Sequence, residues 1–248
     1  MALLLVAGTI SALVVLLGRV GARRQVRGHI ESLIDYPELR VLETAIALQP
    51  GWQGHKAGQF AFVTSSDTEG AHPYTIASAW DDQTRRIVFI TKELGDYTSK
   101  LHERLKVGAA VKVEGPYGCF TFDDEASRQI WIGAGIGITP FIARMKHLAQ
   151  RPDQRKRIDL FHPTKDVSQA AIDKLTADAR AANVHLHLLV SGRDRRLDGE
   201  RIRTMLPDWR EASVWFCGPA LFGQSLRKDL IAHGLPSDRV HQELFQMR

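Results

Sequence analysis

Eight consecutive residues, Gly133-Ala134-Gly135-Ile136-Gly137-Ile138-Thr139-Pro140, carry the first chemical signal in this 248-residue chain. Glycines between a strand and a helix let the backbone approach a ligand closely, and the N–H groups of a helix start favour an anion. Pro140 suits the first helical turn, where its missing N–H costs nothing. Gly133, Gly135, Gly137, Thr139 and Pro140 are therefore candidates for holding a phosphate-bearing cofactor. The spacing is GxGxGxxP rather than GxGxxG. The next strand ends in His162-Pro163-Thr164, with no acid for a ribose hydroxyl. A tight strand–helix turn without a ligand is the alternative.

Cys217, followed by Gly218 and Pro219, ends a later apolar run, Ala212–Cys217. The carboxyl edge of a parallel sheet is where ligands bind, although lone cysteines are usually buried packing residues. Cys119 and Cys217 are the only cysteines and match no metal-ligand spacing. They argue against a zinc site or a four-cysteine iron–sulfur cluster, and no metal is expected.

The elements that must position these residues fall into two rhythms. Residues 28 to about 122 are β-rich, with runs such as Gln59–Thr64, Tyr74–Ala79, Arg86–Thr91 and Ala110–Val113 between Gly, Pro and Asp clusters. That spacing predicts a small antiparallel barrel over 28–124, with one helix near Thr98–Leu105. From Ser127 strands alternate with helices. Strands are expected at Ile130–Ile132, Arg157–His162, Val184–Val190, Ala212–Cys217 and Val240–Phe245, with helices from Pro140, Val167, Asp198 and Ala220. The alternation predicts a parallel doubly wound sheet over 127–248. The acidic stretch Phe122–Ser127 reads as a hinge between the two domains.

The formal charge of +5 is concentrated near the N-terminus, where Arg19, Arg23, Arg24 and Arg27 precede the first acid, Glu31. Without them about +1 remains, which gives a nucleic-acid groove little support. Ala2–Gly18 holds no charge. As a helix it would rise roughly 26 Å, at the short end for a bilayer core. Arginines directly after it favour a cytoplasmic C-terminal side, so residues 1–22 are expected to be a transmembrane anchor in the inner or cytoplasmic membrane. A cleaved signal peptide and a buried core helix are the alternatives.

The remaining motifs stand in a fixed order. Gly58-Gln59-Phe60 is followed by His72-Pro73-Tyr74-Thr75-Ile76-Ala77-Ser78 and Lys92-Glu93-Leu94-Gly95-Asp96-Tyr97-Thr98. Next come Glu114-Gly115-Pro116-Tyr117-Gly118, the glycine turn, Phe216-Cys217-Gly218-Pro219 and His241-Gln242-Glu243-Leu244-Phe245. This order and spacing resemble the ferredoxin–NADP reductase superfamily, and within it the dehydrogenase half of membrane ferric reductases and NADPH oxidases. The resemblance covers residues about 28 to 248. It implies an FAD-binding β-barrel followed by an NAD(P)-binding α/β domain.

The resemblance also implies roles. Tyr74 lies against the flavin ring, and Thr75 places a hydroxyl near flavin N5. His72, where many relatives carry arginine, reaches the FAD pyrophosphate together with Pro73 beside it; a solvated strand residue is the alternative. Lys92, Gly95 and Thr98 supply the second FAD phosphate contact. Cys217, with Gly218 and Pro219, faces the nicotinamide. Glu243 and Phe245 stand at the flavin–nicotinamide contact, and Phe245 covers the flavin until nicotinamide displaces it. Ser191 and Arg193 hold a 2′-phosphate, which leans the cofactor choice to NADPH over NADH, although Asp194 and Asp198 interrupt the basic cluster.

The function so implied is hydride transfer from NAD(P)H to FAD, then release of single electrons to a haem-bearing membrane partner, ferric iron or dioxygen. Residues 1–20 contain no histidine, so haem is expected only in a partner or in a separate membrane domain. A non-catalytic membrane-anchored adaptor and an exported soluble flavin reductase are the rival readings.

Overall fold

The computed structural model describes residues 2–16, 21–66, 70–93, 104–151 and 156–243. Its first half is a six-stranded antiparallel sheet built from β1 (Gln25–Tyr36), β2 (Val41–Leu48), β3 (Phe60–Thr64), β4 (His72–Thr75), β5 (Arg86–Lys92) and β6 (Ala110–Tyr117). The strand order is β4-β3-β6-β1-β2-β5. The two ends of that order meet: Ile76, just beyond β4, bridges Phe89 of β5, and the Ala77 N–H donates to the Val88 carbonyl at 2.7 Å. The sheet is thereby closed into a barrel, which removes exposed edges. Its interior holds Ile30, Ile46, Ala61, Ile76, Ile87, Phe89 and Val113. The long hairpin of β1 and β2 contributes a third of the strands; it begins at Gln25, ahead of the expected start at 28.

The second half is a parallel sheet in the order β11-β10-β7-β8-β9. Its strands are β7 (Arg128–Gly133), β8 (Arg157–Thr164), β9 (His185–Val190), β10 (Ala212–Cys217) and β11 (Val240–Glu243). All residues of β7 and β10 are buried, as expected for central strands covered on both faces. Alternate side chains feed two cores. Trp131 points to one with Phe141, Met145 and Leu160, and Ile130 and Ile132 to the other with Phe161, Leu226 and Leu230. Five α-helices are described: α1 (Ala2–Leu16), α2 (Thr139–Ala149), α3 (Gln169–Ala181), α4 (Gly199–Met205) and α5 (Ala220–Ala232). The Asp198 carboxylate caps α4 by accepting the Arg201 N–H at 2.8 Å.

Two expectations need correction. Residues 122–127 join the domains but do not form a hinge. Phe120 and Phe122 lie inside the nucleotide-domain core, each ring 5.1 Å from that of Trp215. Asp124 accepts from Ser213 Oγ at 2.6 Å, Trp215 Nε1 at 2.9 Å and Lys156 Nζ at 2.8 Å. The composition suggested a solvated linker because acids usually face water; here the carboxylate is inward and saturated. The second correction concerns residues 1–22. Helix α1 has 15 residues. It rises about 22 Å, against about 30 Å for a hydrocarbon core. Among the described residues no helix is long and apolar enough to cross a membrane. The helix expected near Thr98–Leu105 lies almost wholly outside the described residues.

Candidate functional site

Strand order reverses between β7, which continues to β8 and β9 on one side, and β10 on the other. Such a switch point opens a crevice at the carboxyl ends of the strands. The glycine turn and Cys217 both end there. The Ala134 N–H donates to the Cys217 carbonyl at 2.9 Å, so the two turns lie against each other. A Cβ on Gly137 would sit 2.2 Å from the Cys217 carbonyl oxygen, and only glycine permits this approach. Gly135 differs: its φ is +55°, and a Cβ there would meet nothing within 4 Å. Gly135 borders the cleft, so its bare backbone leaves room for a ligand. Thr139 Oγ1 donates to the Ile136 carbonyl at 2.8 Å, and Pro140 occupies the first turn of α2.

Beneath the turn lies a residue the sequence analysis noted only for not being an acid. His162 is buried, and its Nδ1–H donates to the Gly133 carbonyl at 2.7 Å. Burial pulls its pKa below the ordinary value, so it is a neutral prop. The only signal in the sequence was a histidine closing an apolar strand.

Cys217 is buried and pairs in register with Glu243 of the neighbouring strand. Burial first, then the Glu243 charge, pushes the thiol up to about 12. Burial also raises the Glu243 carboxyl above its ordinary value. Phe245 lies outside the described residues, as do Gly95 and Thr98.

On the barrel, β4 presents His72 and Tyr74 to one face and Pro73 and Thr75 to the other, as a pleated strand must. The Tyr74 ring packs 6.1 Å from that of Phe89 and borders a barrel cavity of about 30 Å³ with Ser65, Thr91 and Leu105. Thr75 pairs with Phe60 on the other side. The side chains of Tyr74 and Thr75 leave opposite faces of β4 because they are adjacent on one strand.

A cleft of about 550 Å³ runs from Gly135 along the ends of β8 and β9. Lys92, Thr164, Asp166, Ser191, Arg195, Arg196 and Phe222 line it. Lys92 reaches across from the barrel and is held by Asp166 at 2.7 Å. That ion pair keeps the Asp166 carboxyl below its ordinary pKa. The acids that interrupt the basic loop also brace the backbone: the Asp194 carboxylate accepts the Val190 N–H at 2.7 Å and lies 3.8 Å from Arg193, and Asp198 caps α4. Arg195 is paired with Glu200 at 2.6 Å and with Asp198 at 3.2 Å. Arg193 is 72% exposed and does not line the cleft. Arg196 does, with its guanidinium 6.0 Å from the Phe222 ring centroid. Of the two arginines, Arg196 borders the cleft and Arg193 lies outside it.

The sequence profile described as an FAD-binding domain matches residues 36–121. A flavohemoprotein of Halalkalibacterium halodurans is 28% identical over 219 residues, covering 77% of this chain and 52% of its own length. The chain spans about half the length of the curated relatives it matches. Among solved structures, the flavohemoglobin of Malassezia yamatoensis superposes with a TM-score of 0.73 at 20% identity, over 95% of this chain and 65% of that one. The cytochrome b5 reductase domain of Ulva prolifera nitrate reductase gives 0.72 at 20% identity, over 89% and 98%. At these identities the structural matches establish the fold, a barrel followed by a parallel α/β sheet. Taken with the sequence matches, they make this chain similar, in its FAD-binding segment and in its fold, to FAD-dependent reductases of the ferredoxin–NADP reductase type.

Proposed function

We propose that this chain oxidises NAD(P)H with the help of bound FAD and passes the electrons one at a time to a haem-bearing partner. The observation that supports this reading best is the meeting of the Gly133–Thr139 turn with Cys217 at the switch point, opening onto a cleft lined by Lys92 and Arg196. The bare Gly135 backbone leaves space there that a side chain would fill, so the residues present fit a nucleotide. FAD, when bound, supplies a ring that accepts a hydride and releases single electrons.

In this reading the protein contributes orientation rather than strong acid–base chemistry. His72, Pro73, Tyr74, Thr75 and Lys92, with Gly95 and Thr98, hold FAD on the barrel, and Lys92, at the edge of the cleft, also meets an arriving pyridine-nucleotide phosphate. The turn from Gly133 to Pro140 holds the pyridine-nucleotide phosphates. Cys217 stays a neutral thiol and packs against the nicotinamide instead of attacking it, with Gly218 and Pro219 shaping the turn. Glu243, its carboxyl raised by burial, stands in register beside Cys217, where it can exchange a proton. Phe245 would cover the site. Ser191 and Arg196 are the cleft residues suited to a 2′-phosphate, which favours NADPH. The alternative partner chemistries, ferric iron and dioxygen, share the same first half of the reaction.

We also propose attachment to the cytoplasmic face of the inner membrane. Helix α1 carries no charge and exposes Leu4, Leu5, Val6, Leu13 and Val15, and Arg19, Arg23 and Arg24 follow it. The deciding measurement is a visible absorption spectrum of the purified chain, with added FAD and with and without NADPH, on membrane and soluble fractions. Flavin bands that bleach on NADPH addition, in the membrane fraction and without a haem band, are expected. A protein that binds no FAD would overturn the reading.

A further inference from the structure

The far end of the parallel sheet carries a cluster that the reductase reading does not use. Asp159 on β8 pairs in register with His185 on β9, and His187 lies two residues further along the same face of β9. Both imidazoles aim at one carboxylate oxygen. His187 Nε2 is 3.0 Å from Asp159 Oδ1, and His185 Nδ1 is 3.3 Å from the same atom. All three ligand atoms lie within 4.8 Å of one another.

We propose that Asp159, His185 and His187 form a binding site for one borderline divalent transition cation of the Zn²⁺ class. Two imidazole nitrogens and one carboxylate oxygen are the donor set that suits such an ion. Metal–ligand bonds of about 2.0–2.2 Å at tetrahedral angles place donor atoms roughly 3.3–3.5 Å apart, close to the spacing already present. The donors are held from behind. Arg128 Nη2 occupies the other oxygen, Asp159 Oδ2, at 2.6 Å, which turns Oδ1 toward the histidines. His187 is stacked on Phe161, with ring centroids 4.4 Å apart and an interplanar angle of 13°. Such supporting contacts fix ligand orientation.

Access is one-sided. The Asp159 side chain is 7% exposed and that of His187 12%, whereas that of His185 is 74% exposed. An ion therefore enters past His185 and keeps a water-facing position. The nearby Arg128 charge opposes the cation, so the site is of moderate affinity. Asp159 lies five residues before Thr164 at the cleft, about 16 Å along the strand at 3.3 Å per residue. The ion would clip the edge strand β9 to β8 and take no part in hydride transfer. Cysteine counting could not find this site, because its ligands are a strand-alternating histidine pair and an acid from the neighbouring strand.

The test is calorimetric titration of the chelator-treated full chain with ZnCl₂ near neutral pH, repeated with His185→Ala and His187→Ala. One equivalent is expected to bind. Removing either histidine should weaken it by at least about tenfold. Substituting Co²⁺ should give tetrahedral visible bands in the parent and none in His185→Ala. His185 is exposed, so its alanine variant should fold; far-ultraviolet circular dichroism of both variants checks this. The chain has ten histidines, so an equivalent that binds unchanged in His185→Ala belongs elsewhere and overturns the proposal. The absence of any bound equivalent overturns it too.

Discussion

The Lys92 ammonium lies 2.7 Å from the Asp166 carboxylate, a barrel residue held by the loop that follows β8. Both border the cleft, so an arriving phosphate must share Lys92 with Asp166. Asp166→Asn should remove a competing anion and lower the NADPH KM several-fold. Lys92→Ala should weaken cofactor binding in the opposite direction. Steady-state kinetics with both variants checks the pair; a raised KM in Asp166→Asn would show that the ion pair is needed to shape the cleft.

Gly137→Ala should be far more damaging than its size suggests. The new methyl would meet the Cys217 carbonyl oxygen at 2.2 Å, and both partners are backbone in packed turns. Overpacking of this kind costs about 1–3 kcal/mol. The two turns should separate, with loss of stability in urea and a slower rate of flavin reduction by NADPH. Unaltered stopped-flow traces would mean that the turns do not set the site.

Cofactor choice should follow Arg196 rather than Arg193. Arg196 lines the cleft beside Phe222, whereas Arg193 faces solvent. A charge-assisted contact contributes about 1.5–3 kcal/mol, so Arg196→Ala should shift the NADPH/NADH ratio of kcat/KM by roughly ten- to a hundredfold. Arg193→Ala should change it little. Equal effects of the two substitutions would assign the preference to general loop charge.

Stability should fall in mild acid because of His55. Its Nδ1 accepts the Trp52 indole N–H at 3.3 Å, and its Nε2–H donates to the Ser78 carbonyl at 3.0 Å. Burial, with a smaller contribution from His147, lowers its pKa from 6.5 to about 4. Between those values the unfolded chain holds the extra proton, so stability rises with pH through the window and is lost as pH falls. The loss between neutrality and pH 4 is of the order of 3 kcal/mol at this one group. Urea unfolding of the parent and of His55→Asn as a function of pH should show a steeper acid limb in the parent. Parallel limbs would assign the acid sensitivity to other buried histidines, such as His162.

Much of the architecture was legible in the sequence because periodicity and glycine turns act locally. The run Ala212–Cys217 is the observed β10, and the helix expected from Pro140 is α2, one residue longer. The glycine turn could be read because its constraints come from residues within one strand–turn–helix unit. What was missed depends on contacts across the chain. Asp124 looked like a linker acid, since nothing near it announces Trp215, 91 residues away. Arg193 and Arg196 are indistinguishable in composition; the backbone turn after β9 decides which one faces the cleft.

The aromatic pair Phe120 and Phe122 bears on how this protein can be divided. Both rings belong to the chain that leaves the barrel, yet they complete the core around Trp131, Phe141 and Trp215. Cutting at the acidic stretch would leave the second half with a hole on one face of its sheet and the first half with two greasy, unsheltered rings. An autonomous nucleotide-binding piece has to start before Phe120. A barrel exchanged with that of a relative has to bring its own matching plug, so the unit of inheritance is the pair of domains with its seam.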